Sequence, residues 1–135
     1  MNSTSGTPAS TEKDPRRVIF VVDDEAMLLE LNAIILEPLG YRVLSFVDPV
    51  AAVRAYLLSE PRPALVITDY AMLGMNGLDV ISACRRVNPT QKVIMISGTV
   101  DESTFQDAVE KPDYFLAKPY LSHQLTDLVR DLLAE

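Results

Sequence analysis

Ala64-Leu-Val-Ile-Thr-Asp69 is a short apolar run that stops at a carboxylate. Its length and its β-branched residues predict a strand buried on both faces, as in a parallel sheet. An acidic residue at the carboxyl end of such a strand stands where open α/β sheets bind their ligands. The pattern recurs on either side. Val18-Ile-Phe-Val-Val22 runs into Asp23, Asp24 and Glu25, and Tyr114-Phe-Leu-Ala117 runs into Lys118. Three strands ending in charge at one edge predict a site.

Helical patterns alternate with these runs. Met27, Leu28, Leu31, Ile34, Ile35 and Leu39 fall on an apolar helix stripe, stopped by Pro38 and Gly40. A second strand is predicted over Tyr41 to Phe46. Asp48-Pro49 then opens a helix, as an N-cap followed by proline at the first helical position, and Glu60-Pro-Arg-Pro63 closes it after Leu58. Beyond Asp69 a loop leads to a helix with Leu78, Val80 and Ile81 inward. Lys92 to Ser97 is the fourth strand, Asp101 to Glu110 a helix and Tyr114 to Ala117 the fifth strand. The last helix carries Leu125, Leu128, Val129 and Leu132, with Ser122 as its N-cap. Five strand–helix alternations with short connections predict an α/β, doubly wound parallel sheet built by right-handed crossovers. Residues 1–15, rich in Ser, Thr and Pro, are expected to form a disordered tail, leaving 16–135 as one domain.

The net charge of −7, with no basic cluster to offset it, argues against direct binding of nucleic acid or an anionic membrane. No apolar run approaches the roughly 18 residues of a membrane span, and the polar N-terminus has no signal-peptide core. The single Cys84 excludes an internal disulfide. A cytoplasmic location is expected.

The carboxyl ends of parallel strands share one edge, so Asp23, Asp24, Asp69, Ser97 and Lys118 converge there. Three carboxylates repel one another, by about 4 kcal/mol for two charges 4 Å apart at an effective dielectric of ~20. A hard divalent ion with oxygen ligands offsets this, and Mg²⁺ suits it because it takes few protein oxygens and keeps several waters. Lys118 adds a point positive charge on a flexible stem. Such a set suits phosphoryl chemistry, with charge neutralised on the transferring group and a carboxylate as nucleophile. Asp69, on the central strand, is assigned as the nucleophile, and Ser97 as a hydroxyl that hydrogen-bonds a phosphoryl oxygen. Each residue alone has a plainer explanation. An acidic pair after a strand caps a helix, Lys-Pro is common in loops and Ser-Gly is a turn. The set, all at strand ends of one sheet, has no such common explanation.

Val-Val-Asp23-Asp24-Glu25, Val-Ile-Thr-Asp69 followed by Met72 and Gly77, Ile-Ser97-Gly98 and Phe115-Leu-Ala-Lys118-Pro119 closely resemble the receiver domain of two-component response regulators, of the single-domain chemotaxis-regulator type. The resemblance covers residues 16–135. It implies the flavodoxin-like fold, (βα)5 with strand order 2-1-3-4-5. It implies that Asp69 accepts a phosphoryl group from a sensor histidine kinase or a histidine phosphotransfer protein, with Mg²⁺ (or Mn²⁺) as cofactor. Asp23 and Asp24 match the metal-binding acids, the backbone carbonyl of Ala71 a further ligand, and Lys118 the phosphate-contacting lysine. Ser97 matches the switch hydroxyl and Phe115 the aromatic that moves with it. Pro119 is expected to follow a cis peptide. The helix over Asp101–Glu110, the fifth strand and the last helix are implied to carry the output, through a downstream protein target or a homodimer.

Some positions depart from the family pattern. Leu73 replaces the proline that commonly follows the methionine, so a looser loop is expected after Asp69. Glu110-Lys-Pro-Asp113 replaces a small Gly-Ala pair, which is expected to alter the route from the preceding helix. Phe115 stands for the commoner tyrosine and leaves only packing to move it. Ala71 and Thr99 occupy positions that tune phosphate lifetime in the family. His123, Cys84 and the methionines at 72 and 75 are assigned to surface and packing.

The chain's end after the last helix gives the expectation of a receiver without an output domain. The alternatives are a receiver of a hybrid kinase, a phosphorelay carrier, or an interaction module that is not phosphorylated. A haloacid dehalogenase-like phosphohydrolase needs a second aspartate two residues beyond the nucleophile, where this chain has Ala71.

Overall fold

The computed structural model describes residues 15–98 and 107–134. Five parallel strands, β1 (Val18–Val22), β2 (Arg42–Phe46), β3 (Leu65–Asp69), β4 (Val93–Ser97) and β5 (Tyr114–Ala117), form one sheet in the order β2-β1-β3-β4-β5. This is the flavodoxin-like order. Its chain reverses direction across the sheet between β1 and β3, which leaves a crevice at their carboxyl ends.

Among the described residues four helices cover the two faces: α1 (Ala26–Leu36), α2 (Pro49–Leu58), α3 (Gly77–Val87) and α4 (Ser122–Leu133). Side chains alternate across each strand. Ile19, Val21, Ile67, Ile94 and Ile96 therefore pack with Leu29 and Leu36 of α1 and Leu125 and Val129 of α4. Phe20, Val66, Val93 and Met95 pack on the other face with Tyr56 of α2 and Val80, Ile81 and Cys84 of α3. Because β3 and β4 are buried at every position, they read as continuous apolar runs rather than alternating ones.

Local chemistry sets the helix ends. The Asp48 carboxylate accepts the Val50 N–H at 3.0 Å, with Pro49 opening α2. Asn76 and Asp79 bond reciprocally at the start of α3, at 2.9 and 3.0 Å. α1 gives way to a 3-10 turn, Glu37–Leu39, and Gly40 follows at φ +100°, a left-handed conformation that favours glycine.

Three expectations are corrected. The stripe assigned to α1 faces the core only in part: Ile35 and Leu39 pack against it and Leu28 is half-buried, but Met27 is 81% and Ile34 68% exposed and Leu31 is also exposed. The buried face is Leu29, Asn32 and Leu36. Residues 26–36 are apolar on nearly every side, so periodicity could not select the face. Ser122 is not the N-cap of α4 but its first residue. Leu121 holds the cap position, where its N–H donates to Gln124 Oε1 at 2.7 Å. Finally, the helix expected to reach Glu110 does not. Residues 107–110 form a turn and bends, while 101–106 lie outside the described residues, as do Thr99 and residues 1–14 of the tail expected over 1–15.

The Glu110–Asp113 segment is held by Arg85 of α3. The guanidinium donates to Gln91 O at 3.0 Å, to Asp113 Oδ2 at 3.0 Å, to Glu110 Oε1 at 3.4 Å and to the Lys111 carbonyl. Asp113 Oδ2 also accepts the Val93 N–H at 2.7 Å, which ties the segment to the start of β4. Glu110 and Asp113 thus share the charge of one arginine.

Candidate functional site

The carboxyl edge of the sheet gathers charge from three strands. Asp23 follows β1 and is 3% exposed; its N–H donates to Phe46 O at 3.0 Å. Its Oδ1 accepts the Glu25 N–H at 2.9 Å, which turns the chain into α1 and fixes the carboxylate. Asp69 ends β3, 6% exposed, in register with Ile96 of β4. Asp24 stands beside them, open to solvent. One oxygen of each of Asp23, Asp24 and Asp69 lies within 4.8 Å of the others.

Lys118 arrives from β5. Its N–H donates to Ser97 O at 2.9 Å, and the Lys118–Pro119 peptide is cis, as expected at Pro119. Its ammonium lies 3.4 Å from Asp69 Oδ1, 3.6 Å from Asp23 Oδ2 and 3.6 Å from Glu25 Oε1. A β-carbon on Gly98 would meet the Lys118 Cβ at 3.3 Å, so the lysine stem runs close over that glycine.

The electrostatics follow from burial. Loss of solvent pushes the Asp23 carboxyl up, against the Glu25 N–H and the Lys118 ammonium. Burial also raises Asp69, with the Asp23 charge adding to it and Lys118 opposing. Burial lowers the Lys118 ammonium, but Asp23 and Asp69 outweigh it and leave its pKa raised. The lysine therefore stays charged while two buried carboxylates resist ionisation. A group of hard oxygen donors in that condition fits a divalent cation.

Ser97 closes β4 at the same edge, buried and in register with Ala117 of β5. Phe115 is half-buried and packs on the α2/α3 face. Ala71 is exposed in the loop that follows Asp69. Gly77 N–H donates to Tyr70 O at 2.8 Å across that loop, and Met72 and Met75 are half-buried against the core. Gly74 takes φ +92°, and Leu73 is 86% exposed. Gly77 has no room for a side chain, because a Cβ would meet Met95 Sδ at 2.3 Å and Asp69 O at 2.7 Å. His123 is exposed at the start of α4. Cys84 is buried, and burial pushes its thiol up to about 12.

Glu25 also reaches Lys118, a contact that its place in the acidic run does not predict. Tyr120 and Asn32 also lie at this edge: the Tyr120 hydroxyl donates to Asn32 Oδ1 at 2.7 Å. Neither carried a sequence signal beyond the nearness of Tyr120 to Lys118. Among the described residues no helix is long and apolar enough to cross a membrane.

The model of the response regulator receiver domain matches residues 19–130. The DNA-binding response regulator MtrA of Mycobacterium tuberculosis is 33% identical over 118 residues, covering 85% of this chain and 50% of MtrA. The transcriptional regulatory protein SphR of Synechococcus elongatus is 29% identical over 127 residues, covering 88% of this chain and 49% of SphR. The chain thus spans about half the length of these curated relatives. A receiver domain protein from Clostridium thermocellum superposes with a TM-score of 0.80 at 25% identity, covering 87% of this chain and 94% of that one.

Proposed function

This chain belongs to the response regulator receiver domain family, and on that premise we propose that it is a phospho-accepting switch with Asp69 as the acceptor. The observation that carries the proposal is the position of the Lys118 ammonium, 3.4 Å from Asp69 Oδ1 and 3.6 Å from Asp23 Oδ2, beside a third carboxylate. A positive charge held there can meet the oxygens of an incoming phosphoryl group.

Asp23 and Asp24 supply oxygen ligands for Mg²⁺, together with Asp69 and the Ala71 backbone carbonyl. The ion, when bound, neutralises phosphoryl oxygens. The donor is a phosphohistidine on a sensor kinase or a phosphotransfer protein. A carboxylate oxygen of Asp69 forms a bond to phosphorus as the phosphorus–nitrogen bond to the donor imidazole breaks. The imidazole leaves with the electron pair and recovers its proton from solvent. Lys118 then pairs with the new phosphoryl oxygens, and Ser97 donates its hydroxyl to one of them. Phe115 follows Ser97 by packing, which shifts the β5 and α4 face toward a protein target or a second copy of the chain. No substrate is turned over beyond transfer to Asp69 and slow hydrolysis of the acyl phosphate.

Intact mass after incubation with acetyl phosphate and Mg²⁺ tests the reading. A phosphoryl adduct is expected, absent in Asp69→Ala and absent with EDTA. An unmodified mass in the wild type points instead to an interaction module that is not phosphorylated.

A further inference from the structure

A lysine stem is flexible, so the backbone and neighbours must set where its ammonium stands. Two constraints on Lys118 are local: its N–H bonds to Ser97 O at 2.9 Å, and its Cβ runs close over Gly98. A third comes from two residues further on. Tyr120 packs its half-buried ring against the cluster formed with α1 and α4, and donates its hydroxyl to Asn32 Oδ1 at 2.7 Å. Asn32 is 1% exposed, on the core face of α1 between Leu29 and Leu36. A buried amide in that position needs a partner.

We propose that Tyr120 and Asn32 are a positioning pair for Lys118, which fastens the lysine loop to the helix that follows the acidic pair. α1 starts directly after Asp23, Asp24 and Glu25, and Tyr120 lies just beyond Lys118. The bond therefore links the two sides of the charge cluster, from half-buried Tyr120 to buried Asn32. Burial raises the Tyr120 phenol pKa, partly offset by its bond to Asn32 and by Lys118, while Asp23 and Asp69 add to the rise. The hydroxyl stays protonated and keeps donating. The pair's role in phosphoryl transfer rests on the phospho-acceptor reading.

The test compares Tyr120→Phe with the double variant Asn32→Leu/Tyr120→Phe at a temperature where all proteins are folded. Tyr120→Phe strands the Asn32 amide, whereas the double variant replaces both partners by apolar groups of similar shape. With acetyl phosphate and saturating Mg²⁺, the single variant should form adduct about tenfold more slowly, as a misplaced charge does, and the double variant should stay as slow, because it lacks the same bond although no amide is stranded. A merely structural pair would leave the rate of the folded protein unchanged. A wild-type rate in Tyr120→Phe, or a rate restored in the double variant, overturns the proposal.

Hydrogen exchange separates this outcome from failure of the phospho-acceptor reading. If the wild type takes no phosphoryl group, that reading fails and the exchange data still decide on the pair. The Lys118 amide should exchange about tenfold faster in Tyr120→Phe and in the double variant alike, with the Ile94 amide unchanged. An unaltered Lys118 amide overturns the pair.

Discussion

The Lys118 ammonium reaches Asp69 Oδ1 at 3.4 Å across an intervening strand, since β4 lies between β5 and β3. Neighbouring strands stand about 4.8 Å apart, so the lysine must span close to two such spacings. It does so by passing over Gly98, where a β-carbon would stand 3.3 Å from its own Cβ. The cation that faces the acceptor is thus delivered from a different strand and a different loop.

Lys118→Met removes that cation from two buried carboxylates. The folded-state pKa of Asp23 and of Asp69 is already raised, so each takes up protons on folding. Their contribution to stability is present at low pH and is lost as pH rises through the folded pKa. Without Lys118 both should rise further. The variant should lose about 1–3 kcal/mol at pH 7, less than for a fully buried pair because the ammonium is partly exposed. The deficit should shrink as pH falls into the carboxylate range. Urea unfolding from pH 4 to pH 8 in EDTA checks this, and a pH-independent deficit contradicts it.

Gly77→Ala should destabilise the fold and slow acceptor chemistry together. The new Cβ would press on the Asp69 carbonyl at 2.7 Å and on Met95 Sδ at 2.3 Å. Overpacking of this kind costs about 1–3 kcal/mol, against a gain of at most about 1 kcal/mol in helix propensity. Denaturant midpoints and the rate of acetyl phosphate modification report the two effects.

On α1, Leu29→Ala should cost about 2–5 kcal/mol, because Leu29 belongs to the core, whereas Ile34→Ala should stay within about 0.5 kcal/mol. Equal losses at the two positions would mean that the helix is rotated from the orientation described.

The strands were legible because β3 and β4 are continuous apolar runs between turn residues, and each of β1, β3 and β5 leads into charge. Parallel strands share a carboxyl edge by topology, so the meeting of Asp23, Asp24, Asp69 and Lys118 could be read before any coordinate was known. The buried face of α1 could not. Its sequence is apolar on nearly every side, so the choice of Leu29, Asn32 and Leu36 over Met27, Leu31 and Ile34 depends on how the helix meets β1 and α4.

The chain order of strands, their apolar runs and the acids and lysine at their ends were determined by sequence alone, since each is a local pattern of period and terminus. Tertiary structure decided what stands behind them. The bond from Tyr120 to Asn32, the hold of Arg85 on Glu110 and Asp113, and the reach of Lys118 over Gly98 each join residues far apart in the chain. A polar contact between distant residues has no periodic signature and forms only where packing brings the partners together and excludes water.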